Sequence, residues 1–114
     1  MKQNIKIAVP TNDRLKLAER SGRAKEFAVV EVKNGQITNI SYRENHHDHN
    51  YDHSHGDHAH GHQDIVDALN DCAAVVGRKF GPHFAGDFHK AGIKLMLSKE
   101  EQIEAAVLDV LNKL

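Results

Sequence analysis

From Gln63 to Leu114 the chain alternates between two kinds of apolar pattern, and this alternation narrows the possible folds more than any other feature. "QDIVDALND" (63–71) carries Ile65, Val66 and Leu69 at helical spacing, whereas "CAAVVG" (72–77) is a continuous run of small apolar residues. The first pattern predicts a short helix and the second a central strand buried on both faces. "GPHFAGDFHKAG" then has Pro82 where a first helical residue is favoured and Gly92 where a C-terminal cap is favoured. Phe84, Ala85, Phe88 and Ala91 form its predicted buried stripe, and "IKLML" (93–97) follows as a strand. Ser98 and Glu101 fit a capping box ahead of a last helix with Ile103, Ala106, Val107, Val110, Leu111 and Leu114 on one face. Strands alternating with helices predict parallel strands covered by helices.

The first half has a different pattern. "NIKIAVP" reads as a buried strand that Pro10 stops, and "TNDRLKLAERSGRAKEF" as a polar connection. "FAVVEV" (27–32) is a second strand, "KNG" a turn and "QITNISY" (36–42) the return arm of a hairpin. In that arm Ile40 and Tyr42 share a face while Ile37 falls out of phase. The element order β-β-β-α-β-α-β-α makes the predicted fold an α/β domain with a mixed sheet. At 114 residues the chain is one domain, 1–114, able to bury a core without disulfides.

The formal net charge of −1 supplies no basic field for nucleic acid, so no nucleic-acid partner is expected. Cys72 is the only cysteine, which excludes an intramolecular disulfide and any four-cysteine metal motif within one chain. No run approaches the ~20 apolar residues of a membrane helix, and "MKQNIKIAVPTND" lacks a signal-peptide core. A cytoplasmic protein without a membrane partner is the expectation.

Between the hairpin and the helical half lies "HHDHNYDHSHGDHAHGH", residues 46–62, with eight histidines and three aspartates in seventeen positions. In an extended chain residues i and i+2 point the same way, about 6.6 Å apart. Two imidazoles so placed can converge on one metal, at roughly 2.0–2.1 Å per nitrogen for zinc. The candidate ligands are His46, His47, His49, His53, His55, His58, His60 and His62. Asp48, Asp52 and Asp57 add oxygen ligands or orient the rings. Imidazole suits zinc, nickel, iron and copper alike, so composition leaves the divalent metal open. Fixing backbone costs ~1–2 kcal/mol per residue, on the order of 17–34 kcal/mol for the tract. A structural zinc site returns ~10–16 kcal/mol. One metal therefore cannot order the whole tract, and a flexible, multi-site loop is expected. Metal binding competes with three other readings: a pH-responsive loop, a solvated insertion and a purification tag. The tag reading conflicts with the tract's internal position and irregular sequence.

Outside the tract, Cys72 opens an apolar run and reads as a buried small hydrophobe before it reads as a ligand. His83 and His89 are six residues apart, about 600° of helix, and cannot share a metal as an i, i+4 pair does. His83, at the helix start, is still placed to face a cleft at the strand ends. Ser21 lacks the G-x-S-x-G setting of a hydrolase nucleophile, and neither glycine-containing loop matches a phosphate-binding motif. Arg20, Arg23, Arg78 and Lys79 are either one anion-attracting rim or ordinary solvated charges.

Several phrases resemble the dinitrogenase iron–molybdenum cofactor biosynthesis family, the NifX-like and NifB C-terminal-type domains. "IKIAVPTND" is similar to the family's opening strand and loop. "GRAKEFAVVEV", with Gly22, Arg23, Ala24 and Phe27, resembles its most characteristic phrase, and "GPHFAGDFHKAGIKLML" its late helix and strand. The resemblance implies a ribonuclease-H-like three-layer domain, a five-stranded mixed sheet with flanking helices, here with a His-rich loop insertion. It also implies a non-enzymatic carrier of an iron–sulfur or iron–molybdenum cluster precursor, working with cofactor-assembly proteins. Arg23 and His83 become candidate cofactor-binding residues. Where the family often has His-Phe-Gly, this chain has Arg20-Ser21-Gly22, and the tract occupies a connection that is usually short or glycine-rich. A regulatory or interaction domain whose tract senses pH or metal is the alternative function.

Overall fold

The computed structural model describes residues 4–21, 24–45 and 63–113. Its elements run β1 (Asn4–Thr11), β2 (Glu26–Lys33), β3 (Gln36–Glu44), α1 (Gln63–Ala68), β4 (Ala74–Gly77), α2 (Pro82–Lys90), β5 (Lys94–Leu97) and α3 (Ile103–Leu111). The five strands form one mixed sheet in the order β3-β2-β1-β4-β5. β2 is antiparallel to both β1 and β3, while β1, β4 and β5 are parallel.

Ile7, Ala8 and Val9 of β1 and Val75 and Val76 of β4 are fully buried, because helices cover both faces of the sheet centre. One face carries Ile7, Val9, Val30 and Val76 against Ile103, Val107 and Val110 of α3. The other carries Ala8, Phe27, Val29 and Val75 against Ile65 and Leu69 around α1 and Phe84 and Phe88 of α2. The result is three layers, helix on sheet on helix. Among the described residues no helix is long and apolar enough to cross a membrane.

The strand and helix expectations hold with four local corrections. Pro10 does not stop β1: it lies inside the strand opposite Phe27. Its carbonyl accepts the Ala18 N–H, 2.8 Å away, so its imide nitrogen also points away from β2. β4 pairs with β1 only at Ile7 and Ala8, and the missing N–H costs no ladder bond there. The misplaced Ile37 is explained by a β-bulge: Glu31 pairs with Asn39 and Val32 with Ile37, leaving Thr38 as the extra residue. The bulge returns Ile37 to the face of Ile40, and both pack on the α3-side core.

The capping box at Ser98 and Glu101 does not form. Ser98 Oγ donates to the Asp109 carboxylate at 3.0 Å and accepts the Glu100 N–H. The cap position is Gln102, without a side-chain cap bond, and the Ile103 N–H donates to the Leu15 carbonyl at 3.1 Å. A neighbouring loop thus satisfies a helix-end donor that the sequence assigned to a side chain. In α2, Phe84 and Phe88 are buried as expected, but Ala85 is half-buried and Ala91 exposed. The hairpin turn is as expected: Asn34 (φ 53°) and Gly35 (φ 82°) are both left-handed, as a two-residue type I′ turn requires.

Candidate functional site

Because β1, β4 and β5 are parallel and β3 runs with them, their carboxyl ends lie at one end of the sheet. The helices that follow β4 and β5 begin there, and α1, which returns the chain to the start of β4, begins there too. The described residues on either side of the tract, Asn45 and Gln63, therefore join the fold at the same end as the loops after β1 and β4.

Side chains tie these segments together. Asn45 is buried; its N–H donates to the Lys25 carbonyl at 3.0 Å and its Nδ2 to the Ala24 carbonyl at 2.8 Å. The Lys25 N–H donates to Asn12 Oδ1 at 2.9 Å. Ser21, also buried, donates from Oγ to the Lys79 carbonyl at 2.9 Å. A Cβ at Gly77 would lie 2.7 Å from Ser21 Oγ and 3.2 Å from the Phe80 ring, so the two loops meet where glycine leaves room. Against them lies a cavity of about 380 Å³ whose polar walls include Asn12, Asp13, Lys16, Glu19, Arg78 and Glu101.

The loop after β1 is built by its own polar groups. Thr11 Oγ1 accepts the Arg14 N–H and donates to the Lys16 carbonyl, while Asp13 Oδ1 accepts the Lys16 and Leu15 N–H groups. Those two backbone bonds hold the Asp13 carboxyl below its ordinary range. Arg14 takes a left-handed φ of 64°. It grips Glu26 with two bonds, 2.6 and 3.1 Å, and its guanidinium lies 4.2 Å from the Tyr42 ring centre. The Arg14 hydrogen bonds lower the Glu26 carboxyl in turn.

His46, His47, His49, His53, His55, His58, His60, His62, Asp48, Asp52, Asp57 and Arg23 all lie outside the described residues. His83 is exposed in the first turn of α2, at the end where the tract joins, and His89 is exposed in its last turn. Among the described residues, no group of three or more histidine, cysteine, aspartate or glutamate side chains is arranged to hold a metal. Arg20, Arg78 and Lys79 are exposed, and the Ser21–Lys79 bond brings their loops together. Arg78, however, shares its cavity with Asp13, Glu19 and Glu101, so the charge at this end is mixed.

Cys72 is buried at the opposite end, before β4. Burial, and then the Asp71 charge, push its thiol up to about 12. The Asp71 carboxylate beside it accepts two bonds from Arg43, 2.7 and 2.9 Å, and one from Lys6 at 3.1 Å. The thiol thus sits as a protonated small side chain beside an ion network, as the apolar run around it implied. Sequence reasoning missed the anchoring roles of Asn12 and Asn45 and the Arg43–Asp71 clasp. A polar residue between a strand and a tract is a faint signal for Asn45. The clasp, 28 positions apart in sequence, has none.

The architecture defines an α/β domain with a polar loop site at the carboxyl edge of a mixed sheet. The chain belongs to the family described as dinitrogenase iron-molybdenum cofactor, which it matches over residues 3–113. Family membership implies involvement in the biosynthesis or binding of that cofactor. No curated protein gives a significant match. Among solved structures, the apo orange protein of Desulfovibrio gigas is 23% identical, with a TM-score of 0.70 over 95% of this chain and 88% of that one. A provisionally assigned dinitrogenase from Methanocaldococcus jannaschii is 14% identical, with a TM-score of 0.68 over 98% and 91%. A provisionally assigned NifB protein from Thermotoga is 18% identical, with a TM-score of 0.67 over 96% and 88%. At these identities the similarity establishes the shared fold.

Proposed function

We propose that this protein is a non-enzymatic carrier in iron–molybdenum cofactor assembly, built on a ribonuclease-H-like three-layer domain, in which the tract of residues 46–62 binds divalent metal. The observation that carries the reading is the family match over residues 3–113 in a chain with eight histidines at 46–62. The roots of that segment, Asn45 and Gln63, also join the fold beside the loops after β1 and β4.

In this reading His47/His49, His53/His55, His58/His60 and His60/His62 supply ligand pairs, His46 an additional nitrogen, and Asp48, Asp52 and Asp57 oxygen or orienting contacts. Arg23 and His83 contribute where a cluster precursor meets the domain. The metal, whether zinc, nickel, iron or copper, and any iron–sulfur or iron–molybdenum precursor are cargo. The partners are cytoplasmic cofactor-assembly proteins. Imidazole ligates only when neutral, so loading weakens as pH falls through roughly 6.5.

The test is anaerobic purification and metal analysis of the full chain beside a variant in which a short Gly/Ser linker replaces residues 46–62. A divalent load present in the full chain and lost in the variant is the expected result. Equal metal content in both removes the tract from the function. A load of iron and sulfide retained by the variant assigns cluster binding to the loops around Ser21 and Lys79 instead.

A further inference from the structure

We propose that β3 is a self-association surface, on which two copies of this chain pair their β3 strands antiparallel about a two-fold axis through Ser41. β3 is the terminal strand of the sheet, and no backbone group among the described residues bonds the outer edge of Asn39–Arg43. The run Asn39–Arg43 contains neither proline nor lysine, and its one charged side chain, Arg43, is held by Asp71 of its own chain. The bulge at Thr38 ends the regular segment on one side, which confines a partner strand to Asn39–Arg43. The other edge, β5, has only four residues.

The register follows from the faces. Antiparallel partners share a face, so only pairings that set α3-side residues against α3-side residues keep both sheets continuous. Centring on Ser41 places each Ile40 opposite the other copy's Tyr42 and each Asn39 opposite the other copy's Arg43. Ile40 is half-buried and Tyr42 exposed on the α3 side, so the two-fold makes two aromatic–β-branched pairs. Centring on Tyr42 would instead set Ile40 against Glu44, and centring on Ile40 would set Tyr42 against the bulged Thr38. Only the Ser41 register matches apolar with apolar while staying within the regular run.

Two variants and one measurement decide it. Asn39 is exposed and lies opposite Glu31 in its own chain, so Asn39→Lys is compatible with the fold but sets a lysine against Arg43 twice across the two-fold. Sedimentation of the full chain over a concentration series should show reversible dimers, with Asn39→Lys weakening them about two- to thirtyfold. Ser41→Cys should form an intermolecular disulfide under mild oxidation, since cross-strand Cα separations of roughly 4.5–5.5 Å fall within disulfide range. Gln36→Cys, outside the paired segment, should not. A full chain that stays monomeric up to millimolar concentration overturns the proposal. So does dimerisation indifferent to Asn39→Lys, or equal cross-linking of both cysteine variants.

Discussion

Asp71 ties three parts of the fold together. It joins Arg43 of β3 and Lys6 of β1 to the connection between α1 and β4, while Arg43 also donates to the Ala68 carbonyl at the end of α1 at 2.7 Å. The two cations hold the Asp71 carboxyl far below the usual carboxylate range, the Arg43 bonds contributing most. A depressed folded pKa means that this stabilisation is present above the unfolded value, roughly 3.9, and is lost as pH falls through the folded value. Asp71→Asn should therefore cost stability by a constant amount between about pH 5 and pH 8, with the gap to wild type closing below about pH 4. The side chains of Asp71 and Arg43 are 40% and 31% exposed, so solvent screening limits the cost to about 1 kcal/mol. Urea titrations of both proteins across that pH range measure it. Cys72 next door should stay unmodified by a thiol reagent at pH 8 until the protein unfolds, because its thiol is buried and pushed up to about 12. Its burial was legible from the apolar run it opens. The ion network was not, because nothing in local sequence marks which distant charges a tertiary fold will bring together.

At the scale of elements, packing patterns were readable and end conditions were not. The continuous apolar runs of β1 and β4 and the phenylalanines of α2 announced their burial, since period and composition report directly on what an element packs against. The start of α3 did not announce itself. Ser98 and Glu101 have the spacing of a capping box, but the Leu15–Leu17 segment satisfies the helix end from outside, while Ser98 Oγ turns to Asp109. The out-of-phase Ile37 is the sequence trace of the bulge at Thr38, which period-two alternation alone does not locate. The meeting of β4 with the loop before β2 depends on one missing side chain. Gly77→Ala would drive a methyl to 2.7 Å from Ser21 Oγ and against Phe80, so it should destabilise the fold by about 1–3 kcal/mol. Thermal unfolding of Gly77→Ala and of the double variant with Ser21→Gly checks the mechanism: removing the hydroxymethyl group should recover part of the loss.

Across the whole molecule, the sheet order β3-β2-β1-β4-β5 places both roots of the tract at the loop-bearing end. The family phrases at 5–13, 22–32 and 81–97 make the five-stranded mixed sheet and the family legible in the sequence itself. The histidine tract was legible as chemistry only, and the structure adds the position of the residues that flank it, Asn45 and Gln63. The central proposal is that metal loading belongs to residues 46–62 and folding to the rest. Calorimetric titration of zinc and nickel into the metal-free full chain and the linker-replaced variant tests it most directly, with circular dichroism to verify that both are folded. The account predicts metal uptake by the full chain at pH 7.5, weakened at pH 5.5, and none by a variant with unchanged secondary structure. Equal uptake by the two folded proteins would contradict it.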